Sequence, residues 1–523
     1  MPDLARIVPP VVGATWLALS VISPALAQSQ ADTAKKDGAN EQIIITNKPA
    51  HQSRVREFLA RVLGKIKGEK LETTGSEVWS VPKEKAEEVK KRLEKLGAKV
   101  TKLHENWNHI LTRRKTDAAP MTPSQQEVVD KMTKSPETVK VGVLSMPDAA
   151  VADYALTRFE EQVGTKGQGG PPEDRYAKVV LPLDQTRDIV LARKRPVDIT
   201  ERGVTWIGEV EETGERALLM LWKDGHLSGY FGYKGRVFVV NHMGGNVHTM
   251  AELDPRLMPP DHTPGTSGNR DKSGLDERPR ALSRPPEPKV APFPDIERKA
   301  LEAKQITIDV MLLYTGSAAK HYIRDPSDLL ALSIEQANET FRNSGIGNVS
   351  LRLVHSQEVE YDESADNQFG HLYAMVDGIG AFKDLKKLRN DKRADIIGLI
   401  IDDPKGCGLS TRVGAEADEA FFVVHHSCAA ITYSIAHEVG HILGARHDRA
   451  VDPNETPFPF AHGYVNGTKW RDMMSYREGC GGCPRIPYWS NPRVMYKGEP
   501  TGTAASDNAR VILEQAERVA NFR

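Results

Sequence analysis

Between His437 and Asp448 the chain reads His-Glu-Val-Gly-His-Ile-Leu-Gly-Ala-Arg-His-Asp, and no other stretch limits its fold so tightly. On a helix, two histidines four residues apart stand one above the other, so His437 and His441 can each turn a ring nitrogen toward one metal ion. Glu438 points about 100° round the helix from His437, badly placed for a third ligand but well placed to act as general base on a metal-bound water. If the helix continued, His447 would lie about 9 Å farther along the axis than His441 and on another side. Gly444 removes that obstacle: a residue without Cβ takes positive φ, ends the helix in a left-handed cap and sends the chain back under the metal. His437, His441 and His447 then form a three-ligand set with one open position, which suits zinc. The plainer reading, surface or satisfied core histidines on an amphipathic helix, does not explain a glycine and a third histidine at these offsets.

The same residues resemble the metzincin signature HExxHxxGxxH. Downstream, Arg471-Asp472-Met473-Met474-Ser475-Tyr476 resembles the Met-turn of that superfamily. Alignment on Met-Ser-Tyr makes Met474 the turn methionine and matches Tyr476 to a tyrosine that some metzincins swing onto or off the metal. Asp448 after the third histidine resembles the reprolysin (adamalysin-like) branch. Ile442, where animal reprolysins commonly carry Asn, and the stretches Cys483 to Pro492, Pro500 to Thr503 and Asp507 to Arg510 resemble secreted bacterial members. The resemblance spans residues 305–523 and is weak upstream. It implies an α/β (α+β) metzincin-like catalytic domain with a mixed sheet and an active-site helix. It further implies a zinc metalloendopeptidase in which Glu438 activates a zinc-bound water and Tyr476 helps the developing oxyanion.

Within that region the pattern predicts a strand at Ile306 to Tyr314, a helix at Pro326 to Asn343 and a strand at Val349 to Val359. A helix at Leu372 to Leu388, a buried strand at Asp395 to Ile401 and a strand at Phe421 to Val424 follow, and the active-site helix begins near Thr432. A comparable edge strand in metzincins binds an extended substrate peptide, and the resemblance implies that role for the residues just before His425. His425 and His426 fall outside the helix spacing and read as structural or rim residues. The four cysteines suit an exported chain with two disulfides, expected as Cys407 with Cys428 and Cys480 with Cys483, although spacing alone allows three connectivities. A redox or zinc-ribbon use of Cys480 and Cys483 is the rival reading; a ribbon needs a second pair nearby.

At 523 residues the chain is too long for one core and suggests three or so domains. Residues 1–27 read as a secretory signal peptide: Arg6, an apolar run from Val11 to Ile22, and Ala25-Leu26-Ala27. Secretion or periplasmic export without stable membrane insertion is therefore expected, and a net charge of -1 gives no field for nucleic acid. Residues 41–115 read as a small α+β unit of ferredoxin-like order, a shape protease propeptides often use. Residues 138–258 read as a β-rich meander resembling a reprolysin propeptide, with a carbohydrate- or surface-binding β domain as its alternative. Residues 259–297 read as a Pro/Gly-rich linker that Arg278, Arg280 and Arg284 open to nicking.

The expected organisation is a zymogen whose own pro-region inhibits or chaperones the catalytic domain, with a mature start near 280–305. No cysteine precedes Cys407, so latency cannot use a thiolate on the metal. Two rivals stand beside it: a secreted binding or adhesion protein keeping a structural zinc site, against which the intact Glu438 speaks, and a pro-region retained for targeting. Substrates are expected to be proteins or peptides. Arg485, in the segment after Met474, is the candidate for an acidic preference beside the cut, which some bacterial reprolysin-like enzymes show.

Overall fold

The computed structural model describes residues 40–46, 51–63, 68–71, 75–102, 113–114, 121–145, 178–184, 187–194, 198–199, 202–261, 287–323 and 326–523. The expected signal peptide, 1–27, lies outside them, as do Arg278, Arg280 and Arg284. The chain divides into two compact units, Met1–Lys70 with Gly75–Glu105, and Leu71–Thr74 with Asn106–Arg523.

In the first unit, β1 (Asn40–Thr46), β2 (Glu69–Lys70), β3 (Glu77–Pro82) and β4 (Lys99–Lys102) form an antiparallel sheet in the order β2-β3-β1-β4. Helices Gln52–Leu63 and Lys83–Lys95 alternate with the strands to give a βαββαβ order. The second helix is strongly charged, yet Ala86, Val89 and Leu93 recur on one face and are buried with Ile43, Ile45 and Val81 of the sheet. The two-residue β2 is too short to carry a sequence period.

The second unit opens with an antiparallel sheet of β5 (Arg113–Arg114), β6 (Thr138–Ser145), β7 (Lys178–Pro182), β8 (Asp188–Arg193), β9 (Asp198–Ile199), β10 (Gly203–Val210), β11 (Arg216–Trp222), β12 (Leu227–Tyr233), β13 (Arg236–His242) and β14 (Val247–Leu253). From β10 to β14 each strand pairs with the next, as the alternating pattern and short turns dictate. Alternation sends Leu219, Leu221 and Phe231 into one core and Leu218, Met220 and Tyr230 to the other face. That second face packs against Leu332 and Ala430 of the catalytic region. Arg216 crosses this interface, donating to Glu339 Oε1 at 3.0 Å and to the hydroxyls of Tyr230 and Tyr433.

The catalytic region is built on β15 (Ile306–Thr315), β16 (Val349–Val359), β17 (Ile396–Ile401), β18 (Gly408–Ser410) and β19 (Phe421–His425), in the order β16-β15-β17-β19-β18. All neighbours run parallel except β18, which runs antiparallel to β19 and ends the sheet. Helices Ser327–Asn343, Ser434–Ile442 and Asn508–Val519 cover one face, and Gln368–Asp377 and Leu385–Lys392 the other, so every residue of β17 is buried. The helix expected over Leu372 to Leu388 is two helices, because Gly378 at φ 68 caps the first in the left-handed region.

The expected linker is packed at both ends. Met258 and Phe293 belong to the catalytic core, and Asp295–Glu302 is a helix anchored beyond its end by the Lys304–Glu517 ion pair at 2.5 Å. Described residues 287–304 therefore pack with the region that follows them. Within that linker, Phe293 docks a described end that composition marks as coreless. Among the described residues no helix is long and apolar enough to cross a membrane.

Candidate active site

The active-site helix Ser434–Ile442 is buried along its whole length, so its polar side chains must be satisfied inside the protein. Tyr433 opens it at φ 63, and Gly444 closes it at φ 102 with Ala445 N–H donating to Gly440 O at 2.8 Å. A Cβ at Gly444 would also meet Val511 and Phe458 at 3.0–3.1 Å, so that position is closed to other residues twice over. The reversed chain runs into a short strand, Arg446–Asp448, which brings His447 back to the helix.

His437 Nε2 lies 3.2 Å from His447 Nε2, and His441 Nε2 lies 2.9 Å from it. His437 Nδ1 faces Met473 O at 3.1 Å and His441 Nδ1 faces Ala445 O at 2.9 Å. A carbonyl only accepts, so those two Nδ1 atoms carry the protons and the Nε2 atoms present lone pairs. With His447 Nε2 likewise unprotonated, three lone pairs converge here and repel unless a cation lies among them. For a tetrahedral zinc with bonds of about 2.0–2.1 Å the nitrogens would stand about 3.3 Å apart, close to what is seen. The residues fit the metal. Two other His/Asp groups, His226 with His242 and Asp328, and His321 with Asp402 and His426, are paired internally, at 2.8 Å for His226–Asp328 and 3.1 Å for His321–Asp402. Each of those two groups includes a carboxylate, whereas the triad is made of three imidazoles. His426 thus sits outside the triad, and His425 is buried with its pKa pushed down to about 3 by desolvation.

Glu438 projects to the side of the triad that faces β18. It is buried and hydrogen-bonded to Ser410, and a Cβ on Gly408 would stand 2.5 Å from its Oε1. Burial pushes its pKa well above the usual carboxylate range, with Ser410 and Arg485 opposing that shift and Asp261 adding to it.

Beneath the triad Met474 packs on the helix: a Cβ on Gly440 would stand 3.1 Å from Met474 Sδ and 2.6 Å from the Trp489 ring. The turn is held by Asp472, which accepts from Ser475 N at 2.9 Å and Ser490 N at 3.0 Å and whose pKa burial pushes up to about 6. Asp448 accepts from Tyr476 N at 3.2 Å, tying the third-ligand strand to the turn, and the Tyr476 ring lies 4.2 Å from that of His447. Disulfides join Cys407 to Cys428 and Cys480 to Cys483, the expected pairs, with Cα separations of 5.4 and 5.6 Å.

Arg485 forms the far wall. Its guanidinium donates to Thr432 O at 2.7 Å and Ser475 O at 3.3 Å and pairs with Asp261 at 3.0 Å, both side chains only 8% exposed. Cys407 N–H donates to Pro260 O at 2.7 Å. Ser410, Asp472, Trp489 and Asp261 were missed as site residues. Asp472 and Trp489 stand inside the quoted Met-turn and tail stretches, whereas nothing local marks Ser410 or Asp261.

Residues 304–490 match the model of metallo-peptidase family M12, Reprolysin_5. A peptidyl-Asp metalloendopeptidase of Xanthomonas campestris pv. campestris is 28% identical over 428 residues, covering 79% of this chain and 92% of that one. One from Stenotrophomonas maltophilia (strain R551-3) is 28% identical, covering 63% and 80%. One from Pseudomonas fragi is 41% identical over 98 residues, covering 18% and 62%. The three converging histidines, the methionine beneath them and these likenesses agree on a metalloendopeptidase of the metzincin/M12 type, with residues 304–490 carrying the family likeness.

Proposed function

We propose that this chain is an exported zinc endopeptidase made as a zymogen, cutting peptide bonds beside acidic residues. The observation that carries the reading is the three converging Nε2 atoms beside the buried Glu438, with the Arg485 guanidinium near enough to act on that carboxyl. Zinc, held by His437, His441 and His447, would supply Lewis acidity to the scissile carbonyl and lower the pKa of water there to about 7.

The chain's own residues do the rest. Glu438 takes the proton of the attacking water and hands it to the leaving amine, and its raised pKa suits a carboxylate that must hold that proton in between. The edge strand β18 and Cys407 N–H offer hydrogen bonds to an extended peptide backbone. The Tyr476 hydroxyl, on a ring tilted against that of His447, donates to the developing oxyanion. Arg485, charged and nearly dry, holds an acidic side chain; the relatives' printed name, peptidyl-Asp metalloendopeptidase, supports aspartate.

The βαββαβ unit supports a ferredoxin-like propeptide part, and the sheet docked on Leu332 and Ala430 supports an inhibitory pro-region. The signal-like residues 1–27 support export. Casein hydrolysis by the secreted protein, wild type beside Glu438→Ala with zinc determined in each, tests the core. Equal zinc with activity lost only in the variant is expected; a zinc-loaded wild type, freed of its pro-region and still inert, would favour a binding protein instead.

A further inference from the structure

We propose that the Pro260–Asp261 peptide bond is the chain's own processing site, hydrolysed by its own active centre. The inference rests on the acidic-subsite reading above.

After β14 the chain does not simply leave the pro-region. Asp254 anchors a turn by accepting from Arg256 N at 3.0 Å and Arg256 Nη2 at 2.7 Å. The next residues are fixed one after another to the catalytic body. Arg477 donates to Arg256 O at 3.3 Å and to Pro259 O at 3.5 Å. Met258 is buried in the catalytic core. Pro260 O accepts from Cys407, the residue before Gly408, which abuts Glu438. Asp261 then enters the cleft and pairs with Arg485.

An extended substrate is recognised in the same two ways, backbone to a strand edge and side chain to a pocket. The segment satisfies both with an acidic side chain in the place the subsite reading gives to one. Pro259 and Pro260 each fix φ near about −65°, so little conformational freedom is lost in holding this stretch extended. Both flanks are tethered: Met258 on one side and, on the other, Glu287, whose carboxylate accepts from Thr503 Oγ1 at 2.9 Å. Such tethering holds the bond at an effective concentration on the order of millimolar or above, whatever the protein concentration.

The step balances without another reactant. Water adds across the C–N bond, Pro260 keeps the new carboxylate, and Asp261 leaves with the new amine. The first mature terminus is then Asp261, upstream of the basic stretch Arg278 to Arg284.

The test is N-terminal mass spectrometry on the zinc-loaded full chain, as wild type, Glu438→Ala and Asp261→Ala, at two protein concentrations. The wild type should yield a fragment starting at Asp261, with a half-life independent of concentration. Glu438→Ala should stay intact at this bond, and in Asp261→Ala cleavage there should slow about a hundredfold. An Asp261 terminus in Glu438→Ala, a wild-type first terminus elsewhere, or an unchanged rate in Asp261→Ala overturns the proposal. A separate Asp-containing peptide given to the wild-type chain after an added protease has removed its pro-region keeps two failures apart. If that peptide is cut while wild-type Pro260–Asp261 stays whole, the processing site alone falls. If neither is cut, the acidic-subsite reading falls with it.

Discussion

The metal cradle takes its three ligands from one helix and the short strand that returns from it, His437 to His447, positioned by helix pitch and one glycine. The proposed acidic subsite is gathered from Thr432, Ser475 and Arg485, and the carboxylate now paired with Arg485, that of Asp261, comes from another part of the chain altogether. Different physics follows. The cradle gathers like groups that only a cation reconciles, so losing one member unmakes it. The subsite rests on one guanidinium held by two carbonyls, so losing it removes a preference and leaves the chemistry standing.

The largest effects should fall on the cradle. His441→Ala should lose the metal by elemental analysis and at least about a thousandfold in kcat/KM on every peptide. Glu438→Ala should lose a comparable factor, about 10²–10⁴, while keeping its metal, because the carboxylate is no ligand. Next comes the subsite: Arg485→Met should lower kcat/KM for Asp peptides about a hundredfold but shift matched Asn peptides by less than about threefold. A uniform loss on both peptides would make Arg485 a support of the cradle and erase the contrast.

Smaller effects probe the floor that the two regions share. Gly440→Ala drives a methyl into Trp489 and Met474 and should cost about 1–3 kcal/mol in thermal unfolding. Met474→Leu conserves volume and should cost less than about 1.5 kcal/mol, with zinc content unchanged. Lost metal in the latter would show that the sulfur matters beyond packing.

What could be read from the sequence follows the same division. His437, Glu438, His441, Gly444 and His447 were legible because helix rise converts spacing into geometry. The strands β10 to β14 were legible because period-two alternation and short turns fix their register. Ser410 and Asp261 were not, since each reaches Glu438 or Arg485 only through the long-range order of the sheet and the path of a Pro-rich segment. The helix expected over Leu372 to Leu388 broke at Gly378, whose positive φ no apolar periodicity reveals. Phe293 docked a stretch whose composition reads as coreless, because one buried aromatic under Arg510 outweighs the average around it.

The most direct test compares kcat/KM on two peptides differing only by Asp or Asn at the cut, for the processed wild type and for Arg485→Met, with zinc determined in both. At equal zinc, the wild type should favour Asp about a hundredfold and the variant should treat the two peptides within about threefold of each other. A preference for Asp that survives the loss of Arg485 would contradict the account, since the charge that selects the substrate would then lie elsewhere in the cleft.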